Sequence, residues 1–242
     1  MIGDFNTERK RNDIGEEFRF LIKVLIVVGI PSILTFIEPD TGAVLIYFII
    51  TIVMLFTAGF RNRWFIATIG IIVLLGGAFL AVYFLDGDLF IKIFGTSFFY
   101  RMDRILNWSN SSGLQLTNSI TAIGSAGPLG HGFNHTPIYF PEMQTDFIFA
   151  VFASNFGFIG VLVLISLLIY FDLNIISLSS KTTNSYDKFT VGGIIAVLLF
   201  QQIQNISMTI GLLPIMGITL PFVSYGGSSL LSYMILIGML FN

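Results

Sequence analysis

Glu142 and Asp146 stand four residues apart in PEMQTDFIFAVFASNFGFIG (Pro141–Gly160), directly ahead of a long apolar run. Carboxylates placed there can face a polar membrane surface, pair with another group, or take a proton from a reacting hydroxyl. At a helix N-terminus the macrodipole favours the anionic form of Asp146. The same placement suits a plain N-cap or first-turn acid with Thr145 as its helper, so the stretch alone leaves base and cap equally open. Arg101 and Arg104, three apart, would share one side of a helix and make an anion-binding pair. His131 and His135 are four apart, but no acid lies between them in an H-E-x-x-H pattern and glycines surround them, so zinc is not expected. Gly124, Gly127, Gly130 and Gly132 match no phosphate-loop or dinucleotide spacing and follow no strand, so neither a nucleotide site nor a nucleic-acid partner is expected. The chain has no Cys, which removes disulfides, thiolate metal sites and a cysteine nucleophile.

The elements that must position these residues are membrane helices. With 55% apolar residues and only 11% charged, the chain lies outside the range of soluble globular domains. Its apolar residues gather into runs of about 18–25, enough to cross a hydrocarbon core of about 30 Å. Six runs are read: Phe18–Ile37, Gly42–Gly59, Trp64–Leu85, Phe147–Phe171, Phe189–Leu213 and Ser224–Phe241. The expected fold is all-α, a polytopic helical bundle, because unpaired backbone is too costly in lipid. A β-barrel would show short alternating segments, and none occur. One membrane domain is expected over residues 18–242. Met1–Glu17, polar and charged with no short apolar core, reads as a cytoplasmic segment rather than a cleavable signal.

Basic residues set the orientation. With a cytoplasmic N-terminus, Arg9, Lys10, Arg11, Arg19, Lys23, Arg61, Arg63, Lys181 and Lys188 lie inside, and Lys92, Arg101 and Arg104 outside. Nine against three obeys the positive-inside rule and makes both termini cytoplasmic. Residues 86–146 then form a large extracytoplasmic loop, too long to be idle and too apolar to be fully solvated. Within it Phe94, Phe98, Met102 and Ile105 predict one interfacial helix anchored by Trp108, which in the plainest reading only faces lipid.

Polar residues interrupt two runs. Gln201, Asn205 and Thr209 fall on one helical face, either as interhelical hydrogen bonds or as the wall of an outward-opening polar cavity. Ser154 and Asn155 sit one to two turns beyond Asp146 and suggest a hydrated groove. In IEPDTGAVL, Pro39 and Gly42 make a tight turn that accounts for Asp40. Pro214 and Pro221 forbid a regular helix between the last two runs, which predicts a re-entrant irregular segment, and Gly226–Gly227 allows close packing of the final helix.

These stretches together carry a resemblance. GLLPIMGITLPFVSYGGSS (Gly211–Ser229) resembles the closing signature of the SEDS family (shape, elongation, division and sporulation; RodA, FtsW and SpoVE types). PEMQTDFIFAVFASNFGFIG resembles the stretch after that family's large outer loop, RILNW with AIGSAGPLGHGF the segment leading to it, and EPDTGAVL an earlier turn. The four occur in family order from about Glu38 to the end, and the loop and closing motif lean to the RodA type. The family has more spans than six, and the runs here match its last six; the remainder includes a helix that keeps a Glu and a Lys. The chain also departs where the family reads EELGF, having Ser154–Asn155–Phe156–Gly157 instead.

The resemblance implies a peptidoglycan glycosyltransferase of the bacterial plasma membrane, active in cell-wall synthesis, cell shape and division. Such enzymes polymerise lipid II, the undecaprenyl-pyrophosphate-linked disaccharide-pentapeptide, on the outer face beside a class B penicillin-binding protein transpeptidase. It makes Asp146 the essential acid, Glu142 its neighbouring Glu, and Arg104, with Arg101, the basic positions before the outer loop. Thr145, Gln201, Asn205, Ser224 and Tyr225 complete the expected substrate-binding set. The departing pyrophosphate needs positive charge, from the arginines or a divalent cation (magnesium or manganese) held by carboxylates. Two other classes fit the polar spans: a flippase for the lipid-linked precursor, and an inactive fragment that only binds a partner.

Overall fold

The computed structural model describes residues 14–38, 40–106, 113–181 and 185–240, with side chains at 101, 104, 105, 179–181 and 185 outside the description. The described residues are helical and contain no strand. The helices are α1 (Ile14–Ile37), α2 (Thr41–Thr57), α3 (Asn62–Leu85), α4 (Gly87–Phe94), α5 (Thr96–Leu106), α6 (Gly113–Ser125), α7 (Ile148–Lys181), α8 (Ser185–Thr209) and α9 (Gly227–Gly238). Four of them, α1, α3, α7 and α8, are long and apolar enough to cross a membrane, while α2 and α9 are shorter apolar helices. The chain is therefore a multi-pass helical membrane protein. It divides into two compact units, residues 60–113 and the remainder.

In the larger unit α8 is the central helix, packed against α2 and α7, with α1 on α2. Close approach is possible because α8 turns Gly192 towards Thr57 and Gly193 towards Met54, where a Cβ would lie 3.3 and 3.5 Å from those side chains. The N-cap of α2 is Asp40, whose carboxylate accepts from the Ala43 N–H at 2.9 Å, so turn chemistry accounts for this acid. Two residues on, a Cβ at Gly42 would lie 2.8 Å from the Met216 carbonyl, which explains the glycine of that turn.

The fourth apolar run is not one span. Gly157 takes φ 63°, ψ −165° inside α7. Phe149 shares a buried cluster with Leu164, Leu168 and Leu220. In a straight helix Phe149 and Leu168 would lie about 28 Å apart, so the chain must fold back at Gly157. Residues 148–156 form one arm and 158–181 the other. The break frees backbone groups on both arms, and the glycine-rich loop before it pairs with four of them. His131 N–H donates to Ser154 O (2.9 Å) and Gly132 N–H to Asn155 O (3.0 Å). In return Phe158 N–H donates to Gly127 O (3.0 Å) and Ile159 N–H to Pro128 O (3.1 Å). Backbone at Gly130 and Gly157 is in direct contact, so neither position has room for a Cβ. Ser154 is fully buried and Asn155 nearly so, its side-chain oxygen accepting from the Thr136 hydroxyl at 3.0 Å. These two polar residues belong to the hairpin tip, not to a hydrated groove.

The last run is shorter than its composition suggests: α9 begins at Gly227, not Ser224, and residues 211–226 have no regular helix. The fifth run likewise stops at Thr209 instead of Leu213.

The smaller unit is tied by aromatic rings. None of the most apolar window of α3 is buried within the described chain. At its end, Phe79 and Tyr83 pack edge-on to Phe90 at 5.0 and 5.4 Å. Gly95, at φ 86°, ends α4 and separates it from α5, so Phe94 and Phe98 lie on different helices. They turn onto Phe79 at 5.2 and 5.7 Å, which corrects the single lipid-facing helix expected from their spacing. Trp108 lies outside the described residues.

The hairpin gives a direct test. Gly157→Ala forces a positive φ and a backbone collision, at an expected loss of about 2 kcal/mol or more. Gly76→Ala, which meets open space within α3, should leave the melting temperature in detergent nearly unchanged.

Candidate functional site

Three consecutive carbonyls lead into the first arm of α7, and each is gripped by a different donor. Gln144 O accepts from the Tyr225 N–H at 2.9 Å. Thr145 O accepts from the Ser224 hydroxyl at 2.7 Å. Asp146 O accepts from the Asn205 side-chain amide at 2.7 Å. The donors are themselves fixed. The Asn205 amide also donates to Ile218 O at 2.8 Å, and Ser224 Oγ accepts from the Leu220 N–H at 2.8 Å. Gln204 donates to Pro214 O at 3.0 Å, closing the irregular segment onto α8. Prolines remove the helical option for residues 214–221, and side chains of α8 supply the hydrogen bonds that a helix would have made internally.

The carboxylates sit on a tight turn. Glu142 adopts φ 57°, unusual for a non-glycine residue, and its carbonyl accepts from Thr145 N–H (3.3 Å) and Phe147 N–H (3.1 Å). The Thr145 hydroxyl donates to Glu142 Oε2 at 2.8 Å, so Thr145 serves Glu142 rather than Asp146. The Asp146 carboxylate receives no hydrogen bond among the described residues. It caps nothing, which removes the N-cap reading. Beside it is Gly217, at φ 66°, where a Cβ would stand 3.6 Å from Oδ2. Burial raises the Asp146 carboxyl above its ordinary value, and the negative charge of Glu142 raises it further.

The other expected residues divide clearly. Asn205 and Thr209 are fully buried, so neither walls an open cavity. Thr209 donates to Ile206 O at 2.8 Å, and its own carbonyl accepts from the Ser119 hydroxyl at 2.9 Å. Asn205 is a positioning residue, acting on the backbone of Asp146. Gln201 has a buried side-chain oxygen with no partner among the described residues. Ser224 links the closing segment to Thr145 O. Tyr225 is exposed, and with Gln144 and Ser224 it lines a cleft of about 550 Å³. The side chains of Arg101 and Arg104 lie outside the described residues. His131 is engaged by the Ser125 hydroxyl at 3.0 Å.

One residue escaped the sequence reading. Asp172 is only 5% exposed and accepts from the Gln202 amide at 3.2 Å. The fourth run was ended at Phe171, which left Asp172 just outside it. The apolar LNIISL that follows Asp172 was the missed signal that the helix continues. Because α7 is folded, Asp172 and Asp146 both reach α8, at Gln202 and Asn205, one helical turn apart.

Two outcomes follow. Asn205→Ala strands the Asp146 and Ile218 carbonyls and should cost on the order of 2 kcal/mol or more, read from unfolding in detergent. Asp146 should titrate above the ordinary carboxylate range in a pH series of its infrared carboxyl band. Glu142→Gln should lower that midpoint only part of the way, since burial is the larger cause. The sign for stability is fixed too. Between the unfolded and folded values the folded chain holds a proton that the unfolded chain has released, so stability falls as pH rises through that window.

The family model FTSW_RODA_SPOVE, described as cell cycle protein, matches residues 4–242. Among curated relatives, the probable peptidoglycan glycosyltransferase FtsW of Coxiella burnetii is 34% identical over 96% of this chain and 62% of its own length. The stage V sporulation protein E of Bacillus subtilis is 33% identical over 100% of this chain and 64% of its own. The chain thus spans about three fifths of the length of the relatives it matches. Among solved structures, a chain from "Structural coordination of polymerization and crosslinking by a peptidoglycan synthase complex" superposes with a TM-score of 0.75 at 24% identity, over 99% of this chain and 64% of that one. A mutant form of the Thermus thermophilus rod shape determining protein RodA gives 0.61 at 22% identity, over 99% and 60%. Both structures share the fold. FtsW, SpoVE and RodA names all occur among these matches, which do not single out the RodA type. Four motifs in order, the helical membrane fold and a match across nearly the whole chain agree: this protein belongs to the FtsW/RodA/SpoVE family of cell cycle proteins.

Proposed function

We propose that the chain carries the glycosyl-transfer site of a peptidoglycan polymerase that uses lipid II, with Asp146 as general base. The observation that carries this reading is the Asp146 carboxylate. Its backbone is fixed beside two clamped neighbours, while its side chain is half-buried and engages no hydrogen-bond donor of the described chain. A structural acid would be consumed by a cap or an ion pair; this one is held still and left available. In the reaction the acceptor sugar hydroxyl attacks the anomeric carbon of the donor. Its proton passes to Asp146, and the bond from that carbon to the pyrophosphate oxygen breaks, releasing the lipid pyrophosphate. Glu142 keeps the base strong, because its charge raises the proton affinity of Asp146. Arg101 and Arg104 are assigned to the departing pyrophosphate on the family match.

A divalent cation fits the donor set in a limited way. Among the described residues no three acids, histidines or cysteines gather as a metal site. Glu142 and Asp146 are two carboxylates in electrostatic contact, which suits a magnesium-like ion that keeps waters and takes phosphate oxygens. When bound, such an ion would neutralise charge on the pyrophosphate. The basic-residue bias supports an orientation with residues 86–146 at the outer face of the plasma membrane and both termini cytoplasmic. A transpeptidase partner of the class B penicillin-binding type is assigned on the family match, and the structural neighbour's complex, which coordinates polymerization and crosslinking, supports it.

Purified protein incubated with fluorescent lipid II, alone and with the upstream helices of a relative supplied in the same membrane, tests the reading. Polymer is expected, and Asp146→Asn should abolish it while leaving expression and melting temperature nearly unchanged, because the amide keeps the shape but cannot take a proton. Full polymerisation by the Asn variant would return Asp146 to a structural role.

A further inference from the structure

The irregular segment 211–226 takes a positive φ at three places and fills them unequally. Gly211 (φ 83°) and Gly217 (φ 66°) are glycines, the residue that this conformation favours. The third is Phe222, at φ 63°. Leu220 O accepts from the Val223 N–H at 3.2 Å and from the Ser224 N–H at 3.0 Å, so Pro221 and Phe222 are the central residues of a β-turn. With proline second, a positive φ in the next position makes this the turn that ordinarily takes glycine there. A bulky aromatic in that place crowds its Cβ against the backbone. Among the described residues the other non-glycine positions with positive φ are Glu142 and Asn134, and asparagine tolerates it. Glu142 and Phe222 therefore carry the strain, and their turns are joined. Thr145, whose N–H bonds back to Glu142 O, gives its own carbonyl to the Ser224 hydroxyl.

Nothing in the backbone of this turn favours Phe over Gly, so the reason lies in the ring. Phe222 meets Phe171 of α7 edge-on at 5.2 Å and Tyr233 of α9 at 5.2 Å. Tyr233 is buried, and its hydroxyl lies 3.2 Å from Thr219 Oγ, just ahead of the turn. Behind these rings are Ile175 of α7 and Val191, Ile194 and Leu198 of α8. One side chain thus fastens the turn to three helices. At the far end of the turn, Ser224 Oγ accepts from the Leu220 N–H at 2.8 Å and donates its proton to Thr145 O at 2.7 Å. Only a turn closed on Leu220 lets Ser224 do both. Opening it would also carry the Tyr225 N–H away from Gln144 O.

We infer that Phe222 is a positioning residue for Asp146. Its left-handed turn aims Ser224 and Tyr225 at the two carbonyls ahead of Asp146, and its ring keeps the turn from relaxing. Glycine would adopt the same turn without strain but would leave it free to open. Leucine would keep the strain and lose the flat ring contacts with Phe171 and Tyr233. Strain of this kind persists only where the surroundings hold it, and it gathers at sites whose geometry matters. Phe222 acts through Ser224 and Tyr225, not on the carboxylate. Its effect on turnover rests on the polymerase reading, whereas its effect on the Asp146 carboxyl does not.

Infrared titration of the Asp146 carboxyl in the purified full chain, alongside melting in detergent, tests the assignment; the band is identified by its loss in Asp146→Asn. Phe222→Gly should bring the Asp146 midpoint down toward the ordinary carboxylate range, because a loosened turn admits water to a half-buried group. Its melting temperature should stay near the wild-type value, since relief of the positive φ offsets the lost ring contacts. Leu198→Ala, a cavity in the same cluster, should do the reverse and lower the melting temperature with the midpoint unmoved. Phe222→Leu should move the midpoint in the same direction as the glycine variant, and it decides the matter if that variant does not fold. With lipid II as substrate, Phe222→Gly should lower kcat about tenfold or more while KM stays nearly constant. A folded Phe222→Gly protein that melts lower yet keeps the wild-type midpoint and kcat makes the ring a packing group only and overturns the assignment. The expected midpoint shift in a protein that makes no polymer supports the positioning role and removes only the effect on turnover.

Discussion

Everything at the site depends on the grip of three donors on three successive carbonyls, Gln144, Thr145 and Asp146. Backbone carbonyls cannot be left unpaired where the fold excludes water, because each would cost on the order of 1–3 kcal/mol. A stretch that is neither helix nor strand must therefore borrow its donors. Here the lenders are α8, through Asn205, and the irregular segment, through Ser224 and Tyr225. The segment has the same problem, and the same Asn205 answers part of it by donating to Ile218. Two irregular stretches thus satisfy each other through one buried amide, and neither can move without stranding the other's backbone.

The fold-back at Gly157 decides where that site lies. An unbroken α7 would carry Asp146 to one end of a long helix, far from α8 at Gln202. Folding at Gly157 instead brings the start and the later part of α7 onto the same side of α8. The glycine-rich loop makes the fold affordable by pairing with four of the backbone groups that the break frees. Its glycines let two backbones touch, as the contact between Gly130 and Gly157 shows.

With the backbone held, the electrostatics of the turn become legible. Thr145 occupies Glu142, Glu142 repels Asp146, and burial penalises the charge on Asp146. Burial and the charge of Glu142 leave Asp146 with a raised proton affinity, and Thr145, engaged by Glu142, leaves it no internal donor, the condition for a carboxylate to accept a proton from elsewhere. The strained φ of Glu142 belongs to the same arrangement, since it gathers two N–H groups on one carbonyl and keeps the two acids on one short turn.

The sequence by itself determined the class of the protein, most of its apolar helices and the family. These follow from local composition, run length and motif order, all of which are properties of contiguous residues. It also showed that residues 214–221 could not be regular helix, because proline acts through its own ring. It did not determine that PEMQTDF and VSYGG would be bonded to each other, since they lie some eighty residues apart. Nor did it decide between cavity wall and buried clamp for Asn205, because helical periodicity gives a face and not what that face meets. The hairpin was hidden because residues on both sides of Gly157 are equally apolar, so hydropathy sees one run where the backbone makes two arms. The role of Asp172 was lost with it, as its partner Gln202 becomes a neighbour only after the fold-back. Hydropathy records what a residue avoids; only the tertiary structure decides what it touches, because hydrogen-bond partners are set by the folded path of the chain.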